Sequence, residues 1–230
     1  MQQSLPARPR DETAWDVARW VAYVFDRPVT APEWYWDEVR LGDEPGPVAE
    51  LECFSRLCEA PVQYLVAISN AQLNQGFWYL LGSGASALTL ATHDATIPVA
   101  RWVHCVRGFA PLFAGVFAPR CSPHLGHCDE PGADPLNSAC YMWWDLLPLP
   151  ALPEGLDRAA LHAACLDALE AILALASDAC RESVLHGLGH WAAYDRRRVA
   201  AIIDHFLAAN PRLRPELRAY ALAARGGCVL

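Results

Sequence analysis

The sequence predicts an all-α protein in which antiparallel helix pairs stack into an irregular solenoid. Apolar residues recur at steps of three and four along most of the chain, whereas the two-residue alternation of β-strands is hard to find. Residues typical of helix starts and stops punctuate this pattern. Very short turns join the last helices, so neighbouring helices must lie antiparallel. We expect a flexible N-terminus at 1–10 and one helical domain over 11–230, with a candidate sub-boundary near 148–156.

In the first half of the chain, a capping residue or a proline predicts each main helix. Asp11 can cap a helix that runs to about Phe25. Pro47 suits the first turn of the next helix. The Ser-x-x-Gln spacing that begins at Ser69 is a capping box. The predicted helices cover 11–25, 48–59 and 69–81, with a short helix over 32–39 in the first loop. Gly82 and Gly84 should end the third helix.

The second half opens with a long apolar segment and closes with the most regular helices. Pro98 starts the segment, and Pro111 should kink it. Residues 119–137 form the only long irregular stretch, before a short helix around 138–147 and a proline-rich linker. Asp157 can cap the next helix. Helices are then predicted over 157–176, 179–194 and 197–209 and from Pro215 to Gly226.

Two segments of the chain resemble each other in sequence. The stretches "LNQGFWYLL" (73–81) and "LHGLGHWAA" (185–193) share a leucine, a helical glycine and a tryptophan at similar offsets. With the helix and turn lengths, this resembles HEAT-like or armadillo-like helical repeats. The resemblance implies a non-enzymatic binding or adaptor protein that presents a helical surface to another protein. That function is the leading hypothesis from the sequence.

Composition excludes several classes of protein. All 18 basic residues are arginine, and without lysine the chain cannot form a Walker phosphate loop, a protein kinase site or a Schiff-base enzyme. Nine scattered cysteines, an odd number, indicate free thiols rather than a disulfide framework. No apolar run approaches the roughly 20 residues of a membrane span, and no signal peptide is visible. We therefore predict a cytoplasmic protein without a membrane partner.

One stretch of the helical C-terminal half carries a ladder of polar residues. Glu182, His186 and His190 are four residues apart and cluster opposite the helix's main apolar stripe. Two imidazoles one turn apart can ligate one Zn²⁺, with Glu182 as a third ligand or a hydrogen-bond acceptor behind the site. The metalloprotease pattern would place a glutamate where Gly187 stands. Packing against a close neighbouring helix, which Gly187 and Gly189 would permit, is the alternative.

The irregular stretch contains a second candidate metal site. The sequence "CSPHLGHC" holds four zinc-type ligands within eight residues, although structural zinc sites normally use two separated pairs. Cysteines that pack beneath Trp143 and Trp144 would explain the same residues. The acids and aromatics that follow, including Asp145, suit a protein-binding rim. The four candidate ligands of this loop are Cys121, His124, His127 and Cys128.

These observations leave three hypotheses for function. The first is the adaptor, with Glu182, His186, His190, Trp143, Trp144 and Asp145 as contact residues and no cofactor. The second is a metal-dependent hydrolase or oxidoreductase that uses the histidine ladder, with the Cys–His loop as a further source of ligands and zinc as the alternative cofactor. The third is a nucleic-acid-binding helical repeat that uses arginines 196–198, 212, 214 and 218. Three consecutive arginines without interleaved aromatics are too few for a nucleic-acid footprint, so the sequence argues against the third.

Overall fold

The computed structural model describes residues 15–36, 44–82, 84–147 and 158–229, and every regular element in these ranges is helical. Within them no residue forms a strand, so the predicted all-α class is confirmed. The helices are α1 (Val17–Val24), α2 (Pro47–Glu59), α3 (Pro61–Leu65), α4 (Asn70–Leu81), α5 (Ala87–Ala91), α6 (Val99–Arg107), α7 (Phe109–Leu112), α8 (Ala118–Arg120), α9 (Leu136–Tyr141), α10 (Trp143–Leu146), α11 (Arg158–Leu173), α12 (Asp178–Trp191), α13 (Arg196–Ala209) and α14 (Pro215–Arg225).

The local start signals of the helices are confirmed where the structure describes them. The Ser69 hydroxyl accepts a hydrogen bond from the Gln72 backbone N–H at 3.3 Å, and the Ser69 N–H donates to Gln72 Oε1 at 3.2 Å, which completes the capping box of α4. Pro47 is the first residue of α2. The predicted Asp11 cap lies outside the described residues. Within them α1 begins at Val17, and Asp16 caps it by accepting from the Arg19 N–H at 2.7 Å.

The long apolar segment breaks earlier than the sequence predicts. Its first helix, α6, ends at Gly108, where an added Cβ would lie 2.6 Å from Cys58 Cβ on α2. Pro111 lies within the first turn of α7, a position where a helix needs no backbone N–H from it. A π-helical turn over Phe113–Phe117 follows. The break between α6 and α7 therefore falls at Gly108, close to α2, rather than at the proline.

The C-terminal helices agree with the predicted pattern to within a few residues at each end. The side chains of Ser177 and Asp195 cap α12 and α13. The predicted Asp157 cap and the linker 148–156 lie outside the described residues. Helix α12 packs against α9, α10, α11, α13 and α14, and α11 packs against the sequence-distant α6. Contacts between elements so far apart in sequence are not those of a simple stack, in which each repeat contacts its neighbours.

The core is continuous and rich in aromatic residues. Trp143 is fully buried at its centre, and its ring centroid lies 5.3 to 5.5 Å from those of four phenylalanines. All nine cysteines are free thiols, as predicted. Six of them are buried within helices, at positions 53, 58, 105, 140, 165 and 180, where they behave as small apolar side chains. The phenylalanines around Trp143 are Phe77, Phe109, Phe113 and Phe117.

Candidate metal centre

Helix α12 is covered on nearly every side, including the side that carries the polar ladder. Glu182 and His186 are each 1% exposed, and only His190 reaches solvent. Helices α9, α10 and α14 cover the face opposite the apolar stripe. Glycines at 187 and 189 make this close cover possible because they carry no side chain. The ladder therefore lies at an interface between helices.

A third residue joins the two histidines at this interface. Asp145 of α10 places Oδ2 2.7 Å from His186 Nε2 and Oδ1 2.7 Å from His190 Nε2. The two Nε2 atoms are 3.3 Å apart. Ligand atoms of all three side chains lie within 4.8 Å of one another, and Asp145 and His190 are open to solvent. Within the described ranges this is the one group of three or more such side chains that could hold a metal ion.

Gly187 explains why α10 comes close enough for Asp145 to reach the histidines. A Cβ on Gly187 would lie 2.6 Å from Cγ and 2.9 Å from Cβ of Trp144, the residue before Asp145. Distances this short do not occur between real side chains, so only glycine permits this approach. The predicted tight crossing on the histidine side is thus present, and it is what assembles the cluster.

Two tyrosines support His186 from behind. Tyr220 Oη of α14 lies 2.5 Å from His186 Nδ1, and Tyr141 Oη of α9 lies 3.3 Å from Tyr220 Oη. Burial is the main reason that the pKa of Tyr220 lies well above its ordinary value of 10.0, and the hydrogen bond with Tyr141 is the second. Its hydroxyl therefore keeps its proton and can both donate and accept a hydrogen bond. The orientation of the His186 ring is fixed at both nitrogens.

Glu182 takes no part in this cluster. Its carboxylate accepts hydrogen bonds from the backbone N–H groups of Gly126 and His127, each at 2.9 Å, and lies 2.5 Å from His127 Nδ1. The His127 ring stacks on Tyr220 with centroids 4.1 Å apart. Glu182 thus anchors the loop after α8, and the third position that the sequence suggested for it belongs to Asp145.

The four candidate ligands of the "CSPHLGHC" loop do not converge. His124 Nδ1 lies 2.9 Å from Ser122 Oγ, while His127 faces Glu182. Cys128 Sγ approaches only His127 Nε2, at 3.3 Å, and Cys121 meets the buried thiol of Cys140. His127 and Cys128 approach each other, but His124 and Cys121 face other partners, so the four side chains share no common point for a zinc ion.

The contact residues predicted for a partner protein differ in accessibility. Trp143 is fully buried and Trp144 is 6% exposed, so both act as core residues. Glu182 and His186 are equally interior, which leaves Asp145 and His190 at the surface. Of the six predicted contact residues, only these two are accessible to a partner.

Two of the six arginines in the nucleic-acid hypothesis form ion pairs with acids. Arg198 forms an ion pair with Asp167, and Arg214 Nη2 lies 2.6 Å from Glu130 Oε1. Pairing of this kind reduces the positive field that a nucleic acid would need. Separately, none of the described helices is both long enough and apolar enough to cross a bilayer.

The cluster was only partly visible in the sequence. Asp145 and Tyr220 are 41 and 34 residues from His186, and no spacing rule links them. The one usable signal was the helical Gly187, which indicated a close neighbour on the histidine side. The fold and the cluster together define an all-helical protein with a candidate three-ligand metal centre. Comparison of the chain with protein-family models, curated proteins and solved structures gave no match.

Proposed function

We propose that the protein binds a divalent transition-metal ion, best matched by Zn²⁺, through His186, His190 and Asp145. The observation that carries the proposal is the 3.3 Å between the two Nε2 atoms. In a tetrahedral site with Zn–N bonds of roughly 2.0–2.1 Å, two ligand atoms are about 3.3–3.4 Å apart. The histidines therefore already stand at the separation that a shared zinc ion requires.

Asp145 needs only a small movement to become the third ligand. Its oxygens lie 2.7 Å from the two Nε2 atoms, a hydrogen-bond separation. Coordination to the same ion would lengthen these distances by about half an ångström. Asp145 lies near the end of the four-residue helix α10 and is open to solvent, so the side chain has room to withdraw.

Tyr220 suits both states of the site. When the His186 Nε2–H donates to Asp145, Nδ1 carries no proton and accepts from the Tyr220 hydroxyl. When Nε2 ligates a metal, the proton resides on Nδ1 and donates to the Tyr220 oxygen, as ligating histidines usually require of a second group. The hydroxyls of Tyr141 and Tyr220 are 3.3 Å apart, and either can donate to the other, so their hydrogen bond can reverse when the proton of His186 moves.

The geometry favours an open site of the kind that metal-dependent enzymes use. Three protein ligands leave the fourth tetrahedral position for water or substrate, and the exposed His190 places this position at the surface. Such a site supplies activated water for hydrolysis. The general base of the metalloprotease pattern is absent at Gly187, and Glu182 is committed to the loop. A hydrolytic function would therefore depend on the metal-bound water itself.

Metal titration tests the proposal. Purified protein stripped with a chelator should take up one Zn²⁺ in isothermal titration calorimetry, and His186→Ala, His190→Ala and Asp145→Asn should each weaken binding by at least tenfold. His93→Ala, which removes an exposed histidine outside the cluster, should leave binding unchanged. Equal zinc affinity in the wild type and all three cluster variants would refute the site.

A second candidate function is binding to another protein, as the HEAT-like resemblance implies. Val62 and Val66 at α3 are 52% and 74% exposed, and they border a groove lined by Leu65, Val116 and Arg120. Exposed apolar side chains gathered at one place favour a protein contact. If that contact exists, a protein recovered with the wild-type chain from its native host should be lost with Val66→Arg but retained with His190→Ala.

A further inference from the structure

A cavity lies on a different side of α12 from the candidate metal centre. It measures about 250 Å³ and is located between α11 and α13. Leu173, Ile202 and Phe206 form its apolar wall. Pockets for drug-sized ligands measure roughly 300–1,000 Å³, so this one suits a smaller molecule.

Arg181 of α12 brings a cation into this apolar cavity. Five residues separate it from His186, a rotation of roughly 140° about the helix, so the cavity and the metal centre face different directions. The Arg181 Nε is buried and has no hydrogen-bond partner among the described residues. Its guanidinium carbon lies 5.8 Å from the centroid of the Phe206 ring.

The existing ion pair of Arg181 leaves donors for a ligand. Nη1 lies 3.7 Å from Asp178 Oδ1, which is longer than a hydrogen bond. A guanidinium matches the two oxygens of a carboxylate, and the terminal Nη groups of Arg181, rather than the inaccessible Nε, would meet the ligand. Glu170 and His205 also line the cavity, so Arg181 and the His205 imidazole face two acids nearby. Because of these two acids, a ligand with a single negative charge meets less repulsion than a phosphate dianion would.

We propose that this cavity binds a small monocarboxylate with an aliphatic or aromatic body. The carboxylate accepts hydrogen bonds from the Arg181 guanidinium, and the apolar body packs against Leu173, Ile202 and Phe206. The site is independent of the metal centre, because it shares no side chain with it.

Hexanoate and its neutral counterpart hexanamide test the site. Hexanoate should bind the folded wild type in ligand-observed NMR and calorimetry, and hexanamide should bind at least tenfold more weakly. Arg181→Met keeps an unbranched apolar side chain but removes the charged guanidinium, and it should weaken hexanoate binding by at least tenfold. Ala174→Leu, which adds bulk to the cavity lining without touching Arg181, should also abolish binding.

Any of three results would overturn the proposal. Hexanoate fails to bind at millimolar concentration, hexanamide binds as tightly as hexanoate, or Ala174→Leu leaves hexanoate binding unchanged. If Arg181→Met does not fold, as judged by circular dichroism, Ala174→Leu and hexanamide decide the question. His190→Ala serves as the matched control and should bind hexanoate within twofold of the wild type.

Discussion

Replacing Gly187 with alanine should disrupt the metal centre from a position that contacts no ligand atom. The new Cβ would lie 2.6 Å from Trp144 Cγ and 2.9 Å from Trp144 Cβ. Carbon atoms in contact normally stand about 3.5–4.0 Å apart, so α10 must retreat by about 1 Å. Rotation of the Trp144 side chain cannot relieve the clash, because the contact involves the atoms closest to its backbone.

The retreat of α10 should separate Asp145 from the histidines. Its 2.7 Å contacts with His186 and His190 would lengthen to about 3.7 Å, beyond hydrogen-bond range. Overpacking a core costs about 1–3 kcal/mol, and alanine recovers about 1 kcal/mol of helix propensity over glycine. We therefore expect a net loss of about 1 kcal/mol in the free energy of unfolding and a fall of at least tenfold in zinc affinity.

Urea denaturation and zinc titration measure the two effects separately. Gly189→Ala is the matched control, since its Cβ would lie 2.4 Å from Val229 Cγ1 and its nearest neighbours all belong to Val229 rather than to α10. This control should alter zinc affinity by less than twofold. If Gly187→Ala binds zinc as tightly as Gly189→Ala does, the close packing of Trp144 does not position Asp145, and the reasoning fails.

Three further predictions concern stability. Burial raises the pKa of Glu50 to about 7 from its ordinary 4.5, so the folded state retains a proton that the unfolded chain releases. The free energy of unfolding should therefore fall by about 3 kcal/mol as the pH rises from 4.5 to 7. Urea titrations at several pH values should show this slope in the wild type and not in Glu50→Gln. Glu182→Ala leaves the partly buried His127 imidazole and two backbone N–H groups without their acceptor and should cost about 3–5 kcal/mol in thermal or urea unfolding, whereas a cost below about 1 kcal/mol would contradict the anchoring role. Ser69→Ala removes the cap of α4 and should cost about 1 kcal/mol in the same assay, with Ser69→Asp close to neutral.

Local features of the fold were predictable because their causes are local. The capping box at Ser69 and the proline at the start of α2 depend on residues within one helical turn, and both stand as predicted. The close contact at Gly108 was not predictable, because it involves Cys58, which is distant in sequence. Sequence spacing describes one helix at a time, whereas packing joins several.

The same distinction explains the candidate site. Helical periodicity placed His186 and His190 on one side of α12, and the 3.3 Å between their Nε2 atoms agrees with that. Periodicity placed Glu182 on the same side, yet its carboxylate accepts hydrogen bonds from the backbone N–H groups of residues 126 and 127 instead. Asp145 reaches the cluster through a helix crossing that no spacing within the sequence encodes.

Zinc binding at the proposed site would link metal supply to the lifetime of the protein, because α12 is central to the fold. Five helices rest on α12, so a ligand that holds His186 and His190 to α10 strengthens the whole assembly rather than one edge. A ligand present at 100 times its dissociation constant adds about 2.7 kcal/mol to the free energy of unfolding. Cells starved of zinc would then degrade this chain faster, and its abundance would follow the metal concentration without any dedicated sensor.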